Sequence, residues 1–337
     1  MNAMRFSLDE IQQHAKLALI AHKTSDENAQ YVAEALVKAE ADGQKGHGLS
    51  RLPSYCAQAL SGKVDGQAQP SANQVAEAAF CIDAEHGFAY PALALAIQCL
   101  SDLTSRTGIG VASVYHSHHC GVAGHHVEAL ARNGFIGLFF ANTPKAMAPW
   151  GGKNAVFGTN PIAFAAPRTS GKDPVVIDVS LSKVARGKIM FADQENQSIP
   201  EGWALDKEGQ STTDPKEALQ GTMLPLGDAK GAALALLVEI MAGALTGAHL
   251  SFEASSFFTG EGQPPGVGQC LIALSPSLLS RELYEHHIES LISRIEEQDN
   301  TRLPGQKRFQ QRKLAQEQGL ALTQQQYDQL QNLCRES

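Results

Sequence analysis

The stretch from Gly231 to Ala248 limits this chain's choices more than any other, because almost every side chain in it is apolar. It has the length of a membrane span, yet Glu239 stands at its middle and three glycines interrupt it. A carboxylate near the centre of a bilayer is costly, so the stretch predicts a helix buried in protein, from about Asp228 to Leu245. Burying it needs a large core, and 337 residues with 43% hydrophobic and 18% charged side chains can supply one. The length suggests two domains. No long like-charge run, low-complexity segment or internal repeat points to disorder or a solenoid. A net charge of -8 with no basic stripe argues against a nucleic-acid partner. Met1–Glu10 lacks the apolar region of a signal peptide. The six cysteines include no C-x-x-C pair. Both features fit free thiols in a reducing cytoplasm, away from any membrane.

Element signals fall in three blocks. Ser7-Leu8-Asp9-Glu10 fits a capping box, with Phe6 and Ile11 as the hydrophobic staple across it. A second helix is expected over Asp26–Asp42, with Gly43 just past its end, and a third over much of Leu49–Leu60. The middle is strand-rich: Phe80–Asp83, Gly110–Tyr115, Ile136–Ala141, Ile162–Ala166 and Val175–Val179 are short β-type runs bounded by turn residues. Helices fit over Tyr90–Arg106 and Ala123–Arg132. After the apolar helix come a strand at Cys270–Leu274 and a C-terminal helix whose apolar face carries Leu278, Leu279, Leu283, Ile288, Leu291, Ile292 and Ile295. The pattern predicts an α/β fold with a mixed sheet, plus a helical domain built from both ends of the chain. The divisions are 1–72 (helical), 73–227 (α/β, cofactor-binding) and 228–337 (returning to the first domain).

Gly108-Ile109-Gly110 resembles the start of a dinucleotide fingerprint, but the order around it is inverted. That fingerprint needs strand, glycines, then helix. Here a helix precedes and a strand follows, so the glycines read as a helix cap, and any nucleotide binds on a non-Rossmann scaffold. The histidines at 116, 118, 119, 125 and 126 lack metal-ligand spacing and predict no metal site. The segment His118-His119-Cys120-Gly121-Val122 instead ends a strand and opens a helix, where small residues let a backbone approach phosphate. His47 lies between two glycines with Arg51 four residues on. On a helix the two share a face. A guanidinium can grip a carboxylate while the imidazole handles a proton, which suits a 2-keto or 2-imino acid. A surface histidine near a structural arginine fits the same spacing.

The whole chain resembles the type-2 malate/L-lactate dehydrogenase superfamily. The resemblance is carried by GQKGHGLSRLP (Gly43–Pro53), by His116–Gly121 and by Phe157-Gly158-Thr159-Asn160-Pro161. It continues in Asp178–Lys188, Asp228-Ala229-Lys230-Gly231 and Arg302-Leu303-Pro304-Gly305-Gln306-Lys307-Arg308. Within the superfamily it is most similar to the 1-piperideine-2-carboxylate/1-pyrroline-2-carboxylate reductases, through GTNPIAFAAP, Asp214–Gly221 and the run LPLGDAKGAALALLVEIMAGALTG.

The resemblance implies an NAD(P)H-dependent oxidoreductase on the superfamily's own fold, a homodimer. NADPH is the expected cofactor and NADH the alternative. It assigns proton donation to His47 and substrate contact to Arg51 and Thr159. It assigns cofactor binding to His118, His119, Cys120, Gly121 and Val122; to Ile177, Asp178 and Val179; and to Arg186, Gly187 and Lys230. Arg302, Pro304, Gly305, Lys307 and Arg308 complete that set. The implied reaction is reduction of a cyclic 2-imino acid to L-proline or L-pipecolate, the alternative being a 2-hydroxyacid dehydrogenase of the malate/lactate type. Two positions depart from the pattern. Gly46 replaces the superfamily's serine, and Lys188 stands where the imine-reducing branch has an acid and the hydroxyacid dehydrogenases commonly have lysine. A serine–histidine–aspartate relay cannot be carried over whole. Asp193 is the nearest acid beyond Lys188.

Overall fold

The computed structural model describes residues 4–335, so the first three residues of the Met1–Glu10 segment lie outside it. Helix Leu8–Ala21 starts with the reciprocal capping box: Ser7 Oγ accepts from the Glu10 N–H (3.2 Å) and the Glu10 carboxylate from the Ser7 N–H (2.8 Å). Helix Asp26–Ala41 follows, and Gly43 leaves it in left-handed backbone (φ 75°). The next stretch departs from the expected single helix. Lys45–His47 and Leu49–Arg51 are separate 3₁₀ turns, and the α-helix runs only from Leu52 to Ser61. Pro53, tolerated only in a helix's first turn, fixes that start. At Gly48, between the turns, a Cβ would collide with Glu40.

These helices share one core with the far end of the chain. Ile11, Leu19, Leu36, Leu52 and Tyr55 pack with Leu320, Leu322 and Leu330. Strand Met4–Phe6 pairs antiparallel with Leu320–Leu322 above it. Helix Gln306–Gln318 precedes that ribbon and Gln324–Leu333 follows it.

The main sheet has seven strands, in the order Ser71–Ala76, Ala79–Asp83, Ile109–Ser117, Val267–Leu274, Ile136–Ala141, Ile162–Ala166, Val175–Val179. Only the pairing of Ala79–Asp83 with Ile109–Ser117 is parallel, so the sheet is mixed. Alternation along Ile136–Ala141 sends Phe139 to one face and Phe140 to the other. Phe139 meets Leu93, Leu100, Val127 and Leu130 of helices Ala89–Thr107 and Ala123–Arg132. Phe140 meets Met147, Ile189, Val238 and Cys270 on the opposite side. Gly108 is the left-handed cap (φ 79°) of helix Ala89–Thr107, which accounts for the inverted glycine pair.

Two apolar expectations are corrected. The Gly231–Ala248 stretch forms helix Ala229–Val238 and continues through Glu239–Ala244 in wider turns, with Leu245 N–H donating to Ile240 O. It is buried on one side only. Its alanine side (Ala235, Ala242) faces the sheet, whereas Leu234, Leu236 and Ile240 are 43%, 48% and 52% exposed. The C-terminal helix is broken into Pro276–Leu279 and Tyr284–Glu296 by Arg281 and Glu282 at positive φ. That break turns Leu278 and Leu283 outward and leaves Ile292 buried. Among the described residues, no helix is long and apolar enough to cross a membrane.

Candidate active site

Strand register collects the candidate segments at one end of the sheet. Ser117 lies opposite Val267, Ala141 opposite Gln269, and Ile162 opposite both Phe140 and Val179. His118–Val122, Asn142-Thr143, Thr159-Asn160 and Ser180–Ser182 therefore enter or leave the sheet together, at the C-terminal ends of three strands. Open α/β sheets bind ligands at such an end.

Glu239, which interrupts the apolar helix, ties this end together. Its buried carboxylate accepts from Asn142 Nδ2 (3.3 Å), Asn160 Nδ2 (2.8 Å), and Ser251 N and Oγ (2.6 Å each). A buried charge is tolerated when its lone pairs are satisfied in this way. Asn160, in left-handed backbone (φ 37°), holds the turn that presents Thr159. Thr159 N–H donates to Thr143 Oγ1 (2.9 Å), and its carbonyl accepts from Leu181 N–H (2.9 Å).

His47 and Arg51 come together through backbone turns, not along a helix face. Arg51 Nε–H donates to the Gly46 carbonyl (2.8 Å), and its guanidinium lies 4.5 Å from the Phe258 ring centre. Its Nη1 is buried with no partner among the described residues, and so is His47 Nδ1. The His47 ring stacks on His119 (5.3 Å, 15°). Burial, with the Arg51 charge behind it, pushes the His47 imidazole down to about 4, so it is neutral at neutral pH. His119 Nδ1 meets Tyr55 OH (2.5 Å), which meets Tyr90 OH (3.0 Å). His118 Nε2 meets Gln58 Oε1 (2.9 Å), and Gln269 Nε2 donates to the His118 carbonyl (3.1 Å). Burial pushes His118 to about 3 and His119 well below the ordinary histidine value.

The expected cofactor segments divide. At the N-terminus of helix Ala123–Arg132 an internal anion already sits where a phosphate was expected. Asp178 Oδ2 accepts from the Gly124 N–H and from Arg308 Nη2, both at 3.0 Å. Gly121 (φ 68°) packs so closely on Tyr90 that a Cβ would clash with the phenol. Burial pushes the Cys120 thiol up to about 12, and Val122 is buried too. Arg308 is buried, whereas Arg302 and Lys307 are exposed. Pro304 O accepts from Val176 N–H (3.4 Å), which places Gly305 beside the strand carrying half-exposed Ile177 and Val179.

Arg186, Gly187 and Lys230 are arranged differently. Leu226 N–H donates to Leu181 O and Lys183 N–H to Leu224 O, so helices Arg186–Gln194 and Ala229–Val238 start from two paired segments. Neither helix has a side-chain cap. Gly187 has open space where a Cβ would be, and the described ion pairs use neither Arg186 nor Lys230. Uncapped amides with free cations and room beside them fit a dinucleotide's phosphates. Lys188 is exposed, and Asp193, farther along the same helix, keeps Oδ1 buried without a partner.

The remaining histidines have structural partners. His125 Nε2 meets Asp42 (2.8 Å), His126 Nε2 meets the Cys120 carbonyl (2.8 Å), and His116, at φ 49°, meets Asp83 (3.0 Å). That positive φ falls where the pairing of this strand with Val267–Leu274 shifts register. Tyr55, Gln58, Lys63, Phe257 and Phe258 were not anticipated from sequence. In the sequence Glu239 reads as an interruption of the apolar run; in the structure that lone carboxylate is a buried polar hub.

Residues 6–331 match the malate/L-lactate dehydrogenase family, and the chain belongs to it. It is an oxidoreductase. A (2R)-3-sulfolactate dehydrogenase (NADP(+)) of Chromohalobacter salexigens is 51% identical over 302 residues, 90% of each chain. A Δ1-pyrroline-2-carboxylate/Δ1-piperideine-2-carboxylate reductase of Pseudomonas putida is 37% identical, over 98% of this chain and 97% of that one. The crystal structure of a Δ1-piperideine-2-carboxylate reductase from Pseudomonas syringae superposes with a TM-score of 0.93. It is 35% identical and covers 98% of this chain and 99% of that one.

Proposed function

We propose that the protein interconverts a 2-hydroxy acid and its 2-keto acid with NADP(H), and that 3-sulfolactate is a substrate. The observation that carries this reading is a neutral His47 beside an Arg51 whose Nη1 has no partner. The free guanidinium edge suits the carboxylate shared by all 2-hydroxy acids. A neutral imidazole can take the proton of the 2-hydroxyl in the oxidative direction. Because His47 Nδ1 is buried, Nε2 is the nitrogen left for that exchange. The orphaned Nδ1 is also what a missing relay leaves, in keeping with Gly46 in place of serine. Thr159 would contact the substrate from the Asn160 turn. Arg186, Gly187, Lys230, Arg302 and Lys307 would hold the cofactor's phosphates, and Ile177 and Val179 would line its groove. When bound, the nicotinamide supplies or removes the hydride. The 51% identity to a sulfolactate dehydrogenase supports this choice of substrate.

The cyclic imino acid reading is the second one, favoured by the full-length fold agreement with a piperideine-2-carboxylate reductase. An imine can arrive already protonated and so asks less of His47. The homodimer and the boundaries at 72/73 and 227/228 belong to the same proposal. Sedimentation and limited proteolysis test them. The deciding assay measures kcat/KM with NADP(H) and NAD(H) for 3-sulfolactate, malate, lactate, 1-pyrroline-2-carboxylate and 1-piperideine-2-carboxylate. We expect NADP(+) with 3-sulfolactate to lead. A higher value for either cyclic imine would reverse the order of the two readings.

A further inference from the structure

Lys63 is only 2% exposed, yet no carboxylate pairs with it among the described residues. Its ammonium donates instead to three backbone carbonyls of one loop: Ser256 O (2.7 Å), Thr259 O (3.0 Å) and Glu261 O (2.7 Å). Three donors meet three acceptors, which satisfies the charge completely. The same loop is held from the neighbouring helix, where Gln58 Nε2 donates to Phe257 O (3.0 Å) and Ser61 Oγ to Gly260 O (2.8 Å). A loop pinned so thoroughly carries two aromatic rings to the site. Phe257 is buried against His118 (5.1 Å) and His119 (5.2 Å). Phe258 remains 39% exposed and lies over the Arg51 guanidinium.

The approaches to Arg51 are therefore restricted. Its Nε is committed to Gly46 O, one face is covered by Phe258, and Nη1 is unpaired. A carboxylate can be gripped only in the guanidinium plane, from the Nη end. We propose that Phe258, pinned through Lys63, is a positioning residue that fixes the plane of Arg51 and hence the direction from which the substrate's carboxylate is bound. This rests on the reading of Arg51 as the carboxylate anchor given above.

The test compares Phe258→Leu, Phe258→Tyr, Lys63→Met and Arg51→Lys. KM and kcat are measured for 3-sulfolactate, or for whichever acid of the panel turns over best. NADPH Kd is measured separately by nicotinamide fluorescence. Phe258→Leu should raise the acid's KM about fivefold, the size a partly exposed cation–π contact supports. Its kcat should fall much less, and its NADPH Kd should stay within about twofold, which also reports that the variant is folded. Phe258→Tyr keeps the ring and should restore the acid's KM. Lys63→Met releases the loop without touching the ring and should raise the acid's KM in the same direction. An unchanged KM in Phe258→Leu or in Lys63→Met overturns the inference, as does an equal loss in Phe258→Leu and Phe258→Tyr. If Arg51→Lys leaves KM unchanged, Arg51 itself is not the anchor. If Arg51→Lys raises KM and Phe258→Leu does not, only the positioning role fails.

Discussion

Arg312 and Arg51 are both largely enclosed by protein, and their surroundings could hardly differ more. Arg312 donates to Asp42 (2.6 and 2.7 Å) and to Glu128 (2.6 and 2.9 Å), with His125 on Asp42 and Lys38 3.7 Å from Glu128. Burial disfavours its charge, but the hydrogen bonds it donates to the two carboxylates, with their charges, outweigh burial and raise its pKa. Burial likewise raises the Glu128 carboxyl, yet Arg312 and Lys38 bring it down to about 2. Among the described residues Arg51 has no carboxylate partner: burial lowers its pKa, and one of its nitrogens is orphaned. The first site commits four of the guanidinium's five donors to holding helices Asp26–Ala41, Ala123–Arg132 and Gln306–Gln318 together. The second keeps a donor free at some cost in stability, the mark of a group reserved for a ligand.

The comparison breaks first at Arg312. Arg312→Leu leaves Asp42 and Glu128 buried without their main counter-ion and should cost ~3–5 kcal/mol, read from urea denaturation at pH 7. A loss of less than about 1 kcal/mol would mean that water, or Arg132 and Lys38 beside Glu128 and Arg308 beside Asp42, replaces it. Arg51→Met should do the opposite. It should abolish measurable turnover on any 2-hydroxy acid while the melting temperature stays level or rises, because an unpaired buried cation is removed. A fall in melting temperature matching that of Arg312→Leu would erase the distinction.

Acid should separate the buried histidines, including His125 beside Asp42, which burial pushes down to about 3, from the carboxylates paired with Arg312. His47, His118 and His119 have folded pKa values depressed by burial, to about 4, about 3 and well below normal. Their contribution is complete above the unfolded histidine value near 6.5 and is lost as pH falls through the folded values. Asp42 and Glu128 are also depressed, so theirs is complete above roughly 4–4.5 and is lost as pH falls through the folded values, about 2 for Glu128. Urea midpoints should therefore begin to drop between pH 6.5 and 5, before the carboxylates titrate. A midpoint flat down to pH 5 would mean that these histidines are not buried neutral.

The smallest effect is expected at Gly46, where a Cβ would meet nothing within 4 Å and φ is not left-handed. Gly46→Ser should change stability by no more than about 0.5 kcal/mol. It should also raise keto-acid turnover relative to imine turnover, because a ketone oxygen needs a proton as hydride arrives. An unchanged ratio would make the glycine a neutral replacement.

Sequence and structure agree where local chemistry decides. The Ser7/Glu10 capping box and strands Ile136–Ala141, Ile162–Ala166 and Val175–Val179 stand where they were read. Strand Ser71–Ala76 was missed because every residue in it is exposed, so it shows no alternation of burial. The two-residue strands around Ala204, Ser211 and Thr222 are too short to leave a pattern. In the site, His47 and Arg51 were legible from spacing and resemblance. Lys63 and Phe258 were not, because the lysine's partners are backbone carbonyls nearly two hundred positions away, and carbonyls carry no sequence signal. The reach of Arg308 back to Asp178, 130 positions earlier, was hidden for the same reason of distance.

The ribbon of Met4–Phe6 with Leu320–Leu322 has a consequence for how the molecule is made. Arg5 also donates to the Gln318 carbonyl, 313 positions later. Helices Leu8–Ala21 and Asp26–Ala41 leave the ribosome early, with Ile11, Leu19 and Leu36 uncovered, and wait through nearly all of translation for the strand that caps them. At ~5–20 residues per second that interval is on the order of tens of seconds. Contacts of such long sequence separation also slow folding, so the apolar faces of these helices stay open to wrong partners for longer than those of elements whose neighbours follow closely in sequence.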